Sequence, residues 1–564
     1  MLDLVIRGAR ICDGSGTPAQ IGDVGVREGR IAEIGTIGER GEREVDAGGL
    51  VCSPGFIDLH THYDCQLFWD GEATPSPWHG VTTVVMGNCG LTLAPCRPEH
   101  RETLLRLLAF VEGMPLETLR AAIPWGWRTF PEYLDVLDAR GIAVNVGTFV
   151  GHSAVRVEVL GAAAVERTAT EAECEAMAAL VREAMHAGAL GWSTSLSPTH
   201  FFADDGKPAP SRLADETELL ALARALRDFD RGVIEVAPRS AIGGADEKVA
   251  EQHVFATLAR ASGKTVSWAP LFESPYHPGA TDRCLADAEA YQREGVMVLP
   301  QVGCRPLELR FDFVRPGFGL ENNPFWRPVL AEPLEARRRR FADPDFRRSL
   351  ADAARGFVAY LAPGWDRLVL RIPASEATRG LQDLSVSEIA GARGIAPVDA
   401  FCDTVLADGL AGQWGALVMN MDEAKVERLL RHPAAVVALS DAGAHLDTLC
   451  DQGFTTYLLG HWVRTRGRLG LEEAVRLLTA VPAQRYGLRN RGRIASGYAG
   501  DLVLFDPERI ATRPTEVVRD LPEGQSRLLQ GAVGVEWVFV AGTPVVAAGT
   551  PTGERPGRVL RGGI

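Results

Sequence analysis

The sequence predicts an α/β protein that combines a (β/α)8 barrel with a small β-sandwich domain built from both ends of the chain. In the middle of the chain, eight short apolar runs alternate with segments whose apolar residues recur at three- and four-residue steps. This alternation is typical of parallel strands separated by helices. Both ends of the chain contain short strand-like runs and turn residues instead, and chain termini often lie close together.

The N-terminal segment, residues 1–53, supplies the first group of short strands. Its predicted strands are Leu4–Gly8, Val24–Val26, Arg30–Ile34 and Glu44–Asp46. Asp-Gly, Glu-Gly and Gly-Gly pairs provide turn chemistry along this segment. Residues 481–564 contain short strand-like runs and turn residues of the same kind. We therefore expect the two segments to form one β-sandwich-like domain, with the barrel between them at 54–480.

The central segment supplies the eight strands of the predicted barrel. They are Phe56–Leu59, Thr82–Met86, Ala143–Phe149, Leu190–Thr194, Val233–Val236, Thr265–Trp268, Val296–Val302 and Val436–Leu439. The interval before the last strand, about 304–434, is too long for one helix, and we expect it to form a lid over the mouth of the barrel. A subdomain without a role at the site is the alternative. Barrel enzymes place their chemistry at the C-terminal ends of the strands, so candidate residues are sought there.

Composition limits the classes of function. The 564 residues are 46% hydrophobic and 23% charged, as in globular proteins. Acidic residues outnumber basic residues 73 to 59, so no nucleic-acid partner is expected. The N-terminus lacks a signal-peptide pattern and no apolar stretch reaches about 18 residues, which predicts a cytoplasmic protein with no membrane partner. Ten scattered cysteines without a Cys-x-x-Cys pair argue against a disulfide framework.

A metal site is predicted at the end of the first strand. His60 and His62 follow the apolar run that begins at Phe56, and side chains two residues apart in a strand share a face. An isolated His-x-His is more often packed or solvated than ligating. Here Cys89 follows the second strand and Asp441 follows the eighth, so all four side chains are expected at one end of the barrel. Two histidines, a cysteine and an aspartate form a plausible Zn²⁺ set.

The chain resembles the amidohydrolase superfamily and, within it, the N-acyl-D-amino-acid deacylase (D-aminoacylase) group. The resemblance runs nearly end to end and is carried by the segments 53–62, 80–90, 151–156, 188–194, 440–441 and 479–503. It implies a distorted barrel with a composite β-domain, bound zinc, and hydrolysis of an amide on an N-acyl amino acid. It also implies that His60 and His62 flank the metal, that Cys89 is a ligand, and that Asp441 acts as general acid and base.

The sequence departs from this group at strands five and six. The group has a metal-binding histidine at each of these strands, but residues 233–239 and 266–270 contain none. Three outcomes follow: one metal held by His60, His62 and Asp441, with or without Cys89; a ligand borrowed from another histidine; or no metal. The first is favoured, with zinc or another divalent ion at one per chain. The histidines considered as borrowed ligands are His152, His200 and His445.

Three residues are predicted to bind the substrate. His152 and Arg156 follow strand three, and a guanidinium suits a substrate carboxylate, although a structural ion pair is an equal alternative for Arg156. His445, four residues after Asp441, is the first choice for an extra ligand or an oxyanion-stabilising group.

The predicted function is hydrolysis of a non-peptide C–N bond in a small molecule, with metal-activated water and Asp441 as general base and acid. The favoured substrate is an N-acyl amino acid, with the D-configuration implied by the resemblance, or a similar N-acyl compound. A hydantoin-like ring amide is the alternative within hydrolases. A non-hydrolytic enzyme or metal-free binding protein on the same scaffold is the alternative outside them. The sequence is compatible with a homo-oligomer.

Overall fold

The barrel and the composite β-domain are both present in the computed structural model, which describes residues 1–202, 205–315, 320, 323–354 and 364–563. Parts of the predicted lid, 316–319, 321–322 and 355–363, lie outside the described residues. The strands of the two units belong to separate sheets. Only Gly55 separates Val51–Pro54, a strand of the β-domain, from Phe56–Asp58, the first strand of the barrel.

A nine-stranded sheet joins the two ends of the chain. Its N-terminal strands are β1 Leu2–Ile11, β2 Gln20–Arg27, β3 Arg30–Gly35, β4 Gly41–Asp46 and β5 Val51–Pro54. Its C-terminal strands are β18 Leu502–Phe505, β21 Val535–Val540, β22 Thr543–Ala547 and β23 Thr550–Pro551. The order is β23-β22-β21-β18-β5-β1-β2-β3, with β4 beside β1. The two halves meet where β5 pairs with β18, with Cys52 opposite Leu504.

Alternation along β18 explains how this sheet holds two cores together. Leu502 and Leu504 lie in the small core of the terminal sheet, whereas Val503 and Phe505 lie in the large barrel core. Successive side chains of a strand point to opposite faces, so an all-apolar strand can serve both cores. The Phe505 ring lies 6.3 Å from the ring of Phe56, the first residue of the barrel.

The barrel contains eight parallel strand positions, as the sequence predicted. They are β6 Phe56–Asp58, β7 Val81–Met86, β8 Asn145–Thr148 with β9 Val150–Gly151, β10 Gly191–Ser195, β11 Val233–Ala237, β12 Thr265–Trp268, β13 Val298–Val302 and β17 Val436–Val437. The third position is interrupted at Phe149, and a bridge between Thr61 and Ala442 closes the ring between the first and eighth positions. These irregularities make the barrel distorted.

Helices surround the barrel and the insertions. In chain order the α-helices of the described residues are Tyr63–Gln66, Arg101–Val111, Leu116–Ala122, Phe130–Arg140, His152–Leu160, Glu171–Ala187, Glu216–Arg224, Ala245–Ser262, Ala280–Arg293, Trp326–Leu330, Leu334–Ala342, Pro344–Ala353, Val386–Arg393, Pro397–Ala407, Glu423–Arg431, Phe454–Tyr457, Leu471–Leu478 and Ala480–Tyr486. A π-helical segment covers Leu458–Thr465. Local sequence sets the boundaries: the Glu171–Ala187 helix begins with a capping box between Thr170 and Glu173 and ends at Gly188 with φ +113°.

The long insertion carries its own small sheet and core. Strands β14 Leu307–Phe311, β15 Leu368–Ile372 and β16 Gln413–Met419 pair antiparallel in the order β14-β16-β15. Aromatic residues such as Phe313, Trp326 and Phe401 form a core separate from that of the barrel. Strands β19 Ala511–Val518 and β20 Arg527–Val533 form a further hairpin.

The structure moves one predicted domain boundary. The predicted junction at 480/481 falls at the start of the Ala480–Tyr486 helix, and Ala483, Tyr486 and Leu488 lie in the same core as barrel residues. The barrel therefore extends past residue 480. Within the described part of the chain, no helix combines the length and apolar composition that a bilayer crossing requires.

Candidate metal centre

The two histidines after β6 face the C-terminal mouth of the barrel. The backbone that carries them is fixed on both sides, because Thr61 N–H donates to the Val85 carbonyl and His62 N–H donates to the Ala442 carbonyl. The imidazole rings of His60 and His62 are buried, with centroids 5.3 Å apart. Burial lowers the pKa of His60 to about 4, so this imidazole is neutral and able to ligate at neutral pH.

Gln301 orients the His60 ring. The Gln301 side-chain amide donates to the hydroxyl oxygens of Ser267 and Tyr486, both at 3.1 Å, so its oxygen faces His60 Nδ1 at 3.1 Å. His60 Nδ1 therefore carries the proton, and the lone pair of Nε2 points into the site. Such outer partners set the tautomer of metal-binding histidines.

Glu112 lies beside the second histidine, although the two side chains form no hydrogen bond of standard geometry. Its Oε1 lies 3.2 Å from His62 Nδ1, and its side chain is only 1% exposed. Glu112 directly follows the Arg101–Val111 helix, which belongs to the helical insertion after the second barrel strand. This contact leaves His62 Nε2 directed toward the same point as His60 Nε2.

A tight turn after β7 presents the Cys89 thiol. Gly87 has φ +77°, and a Cβ at this position would lie 2.6 Å from the Phe149 carbonyl oxygen. Ser193 completes the turn by accepting from Gly90 N–H at 2.9 Å and donating to the Gly87 carbonyl. Cys89 itself has φ +57°, a strained conformation of the kind found at functional sites. Its Sγ lies 3.6 Å from His60 Nε2.

Asp441 reaches the site from the end of the eighth strand. Its Oδ1 lies 3.4 Å from His60 Nε2 and 3.7 Å from His62 Nε2, and 25% of its side chain remains exposed to the cavity. Burial, with repulsion from Asp451 and Asp58, raises the pKa of Asp441 to about 7. The backbone is again strained, with φ +77° at Leu439 and +47° at Asp441.

Three of the donor separations in this cluster match those of a tetrahedral zinc site. Metal–ligand distances of about 2.0–2.3 Å at tetrahedral angles require donor atoms about 3.3–3.7 Å apart. The separations of 3.4, 3.6 and 3.7 Å between donor atoms in this site fall in that range. The donor atoms of His60, His62 and Cys89 all lie within 4.8 Å of one another. His60, His62 and Cys89 are therefore brought together as a candidate metal site, and Asp441 lies against the two histidines.

Glu235 on the fifth strand and Ser267 on the sixth lie in the two segments where the resemblance implies a metal-binding histidine. Glu235 is fully buried, accepts Cys89 N–H through Oε2 at 2.6 Å, and places Oε1 3.9 Å from His60 Nδ1. Ser267 lies opposite Glu235 in the strand register and accepts the Tyr486 hydroxyl at 3.0 Å. These residues brace the Cys89 turn and the Gln301 network.

A cavity of about 230 Å³ opens beside the four ligands. His200 and His445 also line it. His200 Nδ1 lies 2.7 Å from the Ser195 hydroxyl, and burial lowers the pKa of His445 to about 4. His445 therefore keeps the position that the sequence predicted, at the edge of the site and in the neutral form at neutral pH.

The structure places His152 and Arg156 elsewhere. Strand β9 passes directly into the His152–Leu160 helix, so these two residues lie one helical turn apart on one face. Both side chains contact Glu218, whose Oε1 lies 2.8 Å from His152 Nε2 and 3.4 Å from Arg156 Nε. Neither belongs to the described residues that line the cavity. The structure therefore does not bring this pair to the cavity, and the ion-pair alternative describes their contacts.

Three supporting residues were missed from the sequence. Glu112, Glu235 and Gln301 are buried polar groups that contact the ligands. Glu235 had a detectable signal, because it is a charged residue inside the apolar run Val233–Ala237, and buried charges need a partner. Gln301 had a related signal, because it is an uncharged polar residue inside the apolar run Val298–Val302, whereas Glu112 had no comparable pattern around it.

Comparison with known proteins agrees with this geometry. The model of the amidohydrolase family matches residues 43–546. The chain belongs to the amidohydrolase family. A D-aminoacylase from Alcaligenes xylosoxydans xylosoxydans is 30% identical over 99% of this amidohydrolase and 97% of the relative. An N-acyl-D-aspartate deacylase from the same organism is 31% identical over 100% of this chain and 95% of the relative.

A solved structure extends the likeness to the fold. The N-acyl-D-glutamate deacylase from Bordetella bronchiseptica, complexed with zinc and a phosphonate inhibitor, is 26% identical with a TM-score of 0.68. The alignment covers 99% of this amidohydrolase and 99% of that chain. The predicted D-aminoacylase group, the predicted fold and the predicted class of enzyme, a hydrolase of non-peptide carbon–nitrogen bonds, are thereby confirmed.

Replacing Gln301 tests whether metal binding by this amidohydrolase depends on the residues that orient the proposed ligands. Gln301→Leu removes the acceptor for His60 Nδ1, so the imidazole loses its preferred tautomer. We expect zinc affinity, measured by competition with a chromophoric chelator, to fall 10- to 100-fold. Gln413→Leu, on strand β16 of the insertion, is the control and should bind zinc like the unmodified protein. Equal affinities in all three proteins would contradict the orienting role.

Proposed function

We propose that the protein is a metal-dependent deacylase of N-acyl amino acids. The observation that carries this proposal is the convergence of His60, His62, Cys89 and Asp441 at one end of the barrel. Two relatives that span nearly the whole chain are, by name, a D-aminoacylase and an N-acyl-D-aspartate deacylase, which supports the D-configuration of the substrate.

One zinc ion per chain is proposed, held by these four residues. A zinc ion bound there would lower the pKa of a water molecule to roughly 7 and polarise an amide carbonyl. The thiol and the two neutral imidazoles are soft and borderline donors, which favours zinc over the hard cations magnesium and calcium. The deacylase from Bordetella bronchiseptica contains zinc, which supports the same choice here.

Asp441 is proposed to handle the proton. Its Oδ1 lies at the ligand cluster, while part of its side chain is open to the cavity where an amide would bind. The carboxylate can therefore accept a proton from the attacking water and return it to the leaving nitrogen. A neutral His445 in the cavity wall can donate a hydrogen bond to the carbonyl oxygen as negative charge develops on it.

A substrate panel tests this function. The zinc-loaded protein is incubated with N-acetyl, N-butanoyl and N-octanoyl derivatives of both enantiomers of leucine, methionine and glutamate, and with hydantoin and dihydrouracil. Deacylation releases a free α-amine, whereas opening of a hydantoin produces a carbamoyl amino acid without one. We expect amine release from acyl amino acids with kcat/KM on the order of 10⁴ M⁻¹s⁻¹, at the lower end of natural enzymes.

The result separates the three hypotheses. Ring opening without amine release would replace the deacylase by a cyclic amidase. Full zinc loading without turnover of any compound would favour a non-hydrolytic or binding protein. A small-molecule substrate, a cytoplasmic location and self-association also remain proposals, and the ten buried free thiols suit a reducing compartment.

A further inference from the structure

Arg156 does not line the cavity, but a different arginine does. Among the described residues that line the cavity, Arg239 is the only arginine or lysine. It lies two residues beyond strand β11, at the same end of the barrel as the ligand cluster. The cavity also contains the carboxylates of Glu112 and Asp441, so an anionic substrate needs a fixed cation to enter it.

The guanidinium of Arg239 has no carboxylate partner. Neither Arg239 nor its neighbour Arg212 has a carboxylate oxygen within 4.0 Å among the described residues. Arg212 instead donates to the His200 carbonyl at 3.0 Å, and burial together with the Arg239 charge lowers the pKa of Arg212. Two adjacent positive charges without a counterion favour binding of an anion between or beside them.

The backbone that carries Arg239 is held rigidly by the following helix, Ala245–Ser262. The buried Glu251 carboxylate accepts from the backbone N–H groups of Arg239 and Ser240, each at 2.8 Å. The buried Lys248 ammonium donates to the carbonyls of Ser240 and Ala241. Two buried charged groups thus fix four successive peptide units, so the arginine is presented from a preorganised loop.

Part of the cavity lining is apolar. We define the apolar wall by Ile242, Phe272, Leu307, Leu309 and Val418. Leu307 and Leu309 share one face of β14, so the inserted sheet contributes directly to the cavity. Ile242 is 43% exposed and Phe272 is only half-buried, which leaves apolar surface for a ligand to cover.

We propose that Arg239 binds the single carboxylate of an N-acyl amino acid while the apolar wall receives an apolar acyl group or side chain. This inference rests on the proposed deacylase function and specifies its substrate class. A substrate with a second carboxylate, such as an acylated glutamate, would place a charge against the apolar wall and is disfavoured. We expect N-acetyl-leucine to exceed N-acetyl-glutamate at least tenfold in kcat/KM.

The carboxylate contact is tested with matched ligands. Arg239→Gln should lower kcat/KM for an N-acyl-leucine about 30-fold, the scale of one hydrogen bond between charged groups. It should change kcat/KM for the corresponding C-terminal amide, which has no carboxylate, less than twofold. Arg224→Gln, on the exposed end of the Glu216–Arg224 helix, is the control for removing one positive charge. Equal losses for both substrates, or no loss, would overturn the assignment to Arg239.

The apolar wall is tested with two substrate series. One lengthens the acyl group on glycine, and the other enlarges the side chain of N-acetyl amino acids. The series whose groups meet the wall should gain about three- to fourfold in kcat/KM per methylene. Leu309→Asn should flatten that series and leave the other unchanged. If neither series responds to chain length, the apolar part of the proposal is wrong.

A binding measurement separates this inference from the proposed reaction. N-octylsulfonyl-leucine carries the same carboxylate and apolar groups but has no cleavable amide. Calorimetry should show binding to the zinc-loaded protein that Arg239→Gln weakens about 30-fold and Arg224→Gln preserves. Binding with this pattern but without hydrolysis of any acyl amino acid would refute only the deacylase. Hydrolysis without this pattern would refute only the Arg239 site.

Discussion

Asp441→Asn is expected to reduce kcat/KM for an N-acyl amino acid about a thousandfold while the fold is preserved. Asparagine has nearly the same size and tolerates the positive φ of +47° at this position. It cannot accept and return a proton, and general acid–base catalysis contributes about 10²–10⁴ in rate. The measurement is steady-state kinetics at saturating zinc, together with metal content and circular dichroism of each sample.

Asp447→Asn provides the matched control for Asp441→Asn. Asp447 is an exposed carboxylate six residues further along, and it accepts a hydrogen bond from the Thr448 hydroxyl at 2.9 Å. The control should retain activity within about twofold. An Asp441→Asn protein that keeps its zinc and hydrolyses substrate at the unmodified rate would eliminate Asp441 as the proton-transfer group.

Removing a proposed ligand is expected to release the metal. Protein purified without chelator should contain about one zinc ion per chain, and His60→Ala and Cys89→Ala should each contain less than a tenth of this amount. Either change leaves three of the four donors and an opening in the cluster. A metal present at a thousand times its Kd contributes about 4 kcal/mol to the free energy of unfolding. Chelation should therefore lower the Tm, and added zinc should restore it.

Cys96→Ala separates metal loss from damage to the fold. Cys96 is a buried thiol that lies in a different small cluster and contacts the Arg97 carbonyl. This variant should retain zinc. Zinc loss in Cys96→Ala as well would attribute the effect to destabilisation. A folded unmodified protein without zinc would remove the basis for hydrolysis and favour the binding-protein hypothesis.

The eight barrel strands were predictable because each is a short apolar run. Strand β11, for example, is buried along its whole length, as parallel strands covered by helices on one side and the barrel core on the other must be. The interruption at Phe149 and the closure between Thr61 and Ala442 were not predictable, since both depend on contacts between strands that are distant in sequence.

The sequence could predict that the four proposed metal ligands lie close together, because each follows a strand and strand ends converge in a barrel. The predicted substrate anchor Arg156 also follows a strand, but the chain turns into a helix immediately after Gly151 and directs Arg156 toward Glu218, away from the cavity. The sequence shows that a residue follows a strand, but the loop geometry decides whether its side chain enters the cavity. Arg239 was overlooked for this reason: its orientation depends on a loop fixed by Glu251 and Lys248.

The pairing of β5 with β18 has a consequence for biosynthesis. Strand β5 ends one residue before the barrel begins, and His60 follows six residues after Pro54. Its neighbour β18 lies about 450 residues later in the chain, so a ribosome must translate roughly nine-tenths of the message before β5, which also pairs with β1, acquires this second partner. Contacts of such long sequence separation form slowly. Throughout elongation, the nascent protein therefore has a histidine pair attached to an incomplete sheet, and full metal affinity should be a property of the finished polypeptide alone.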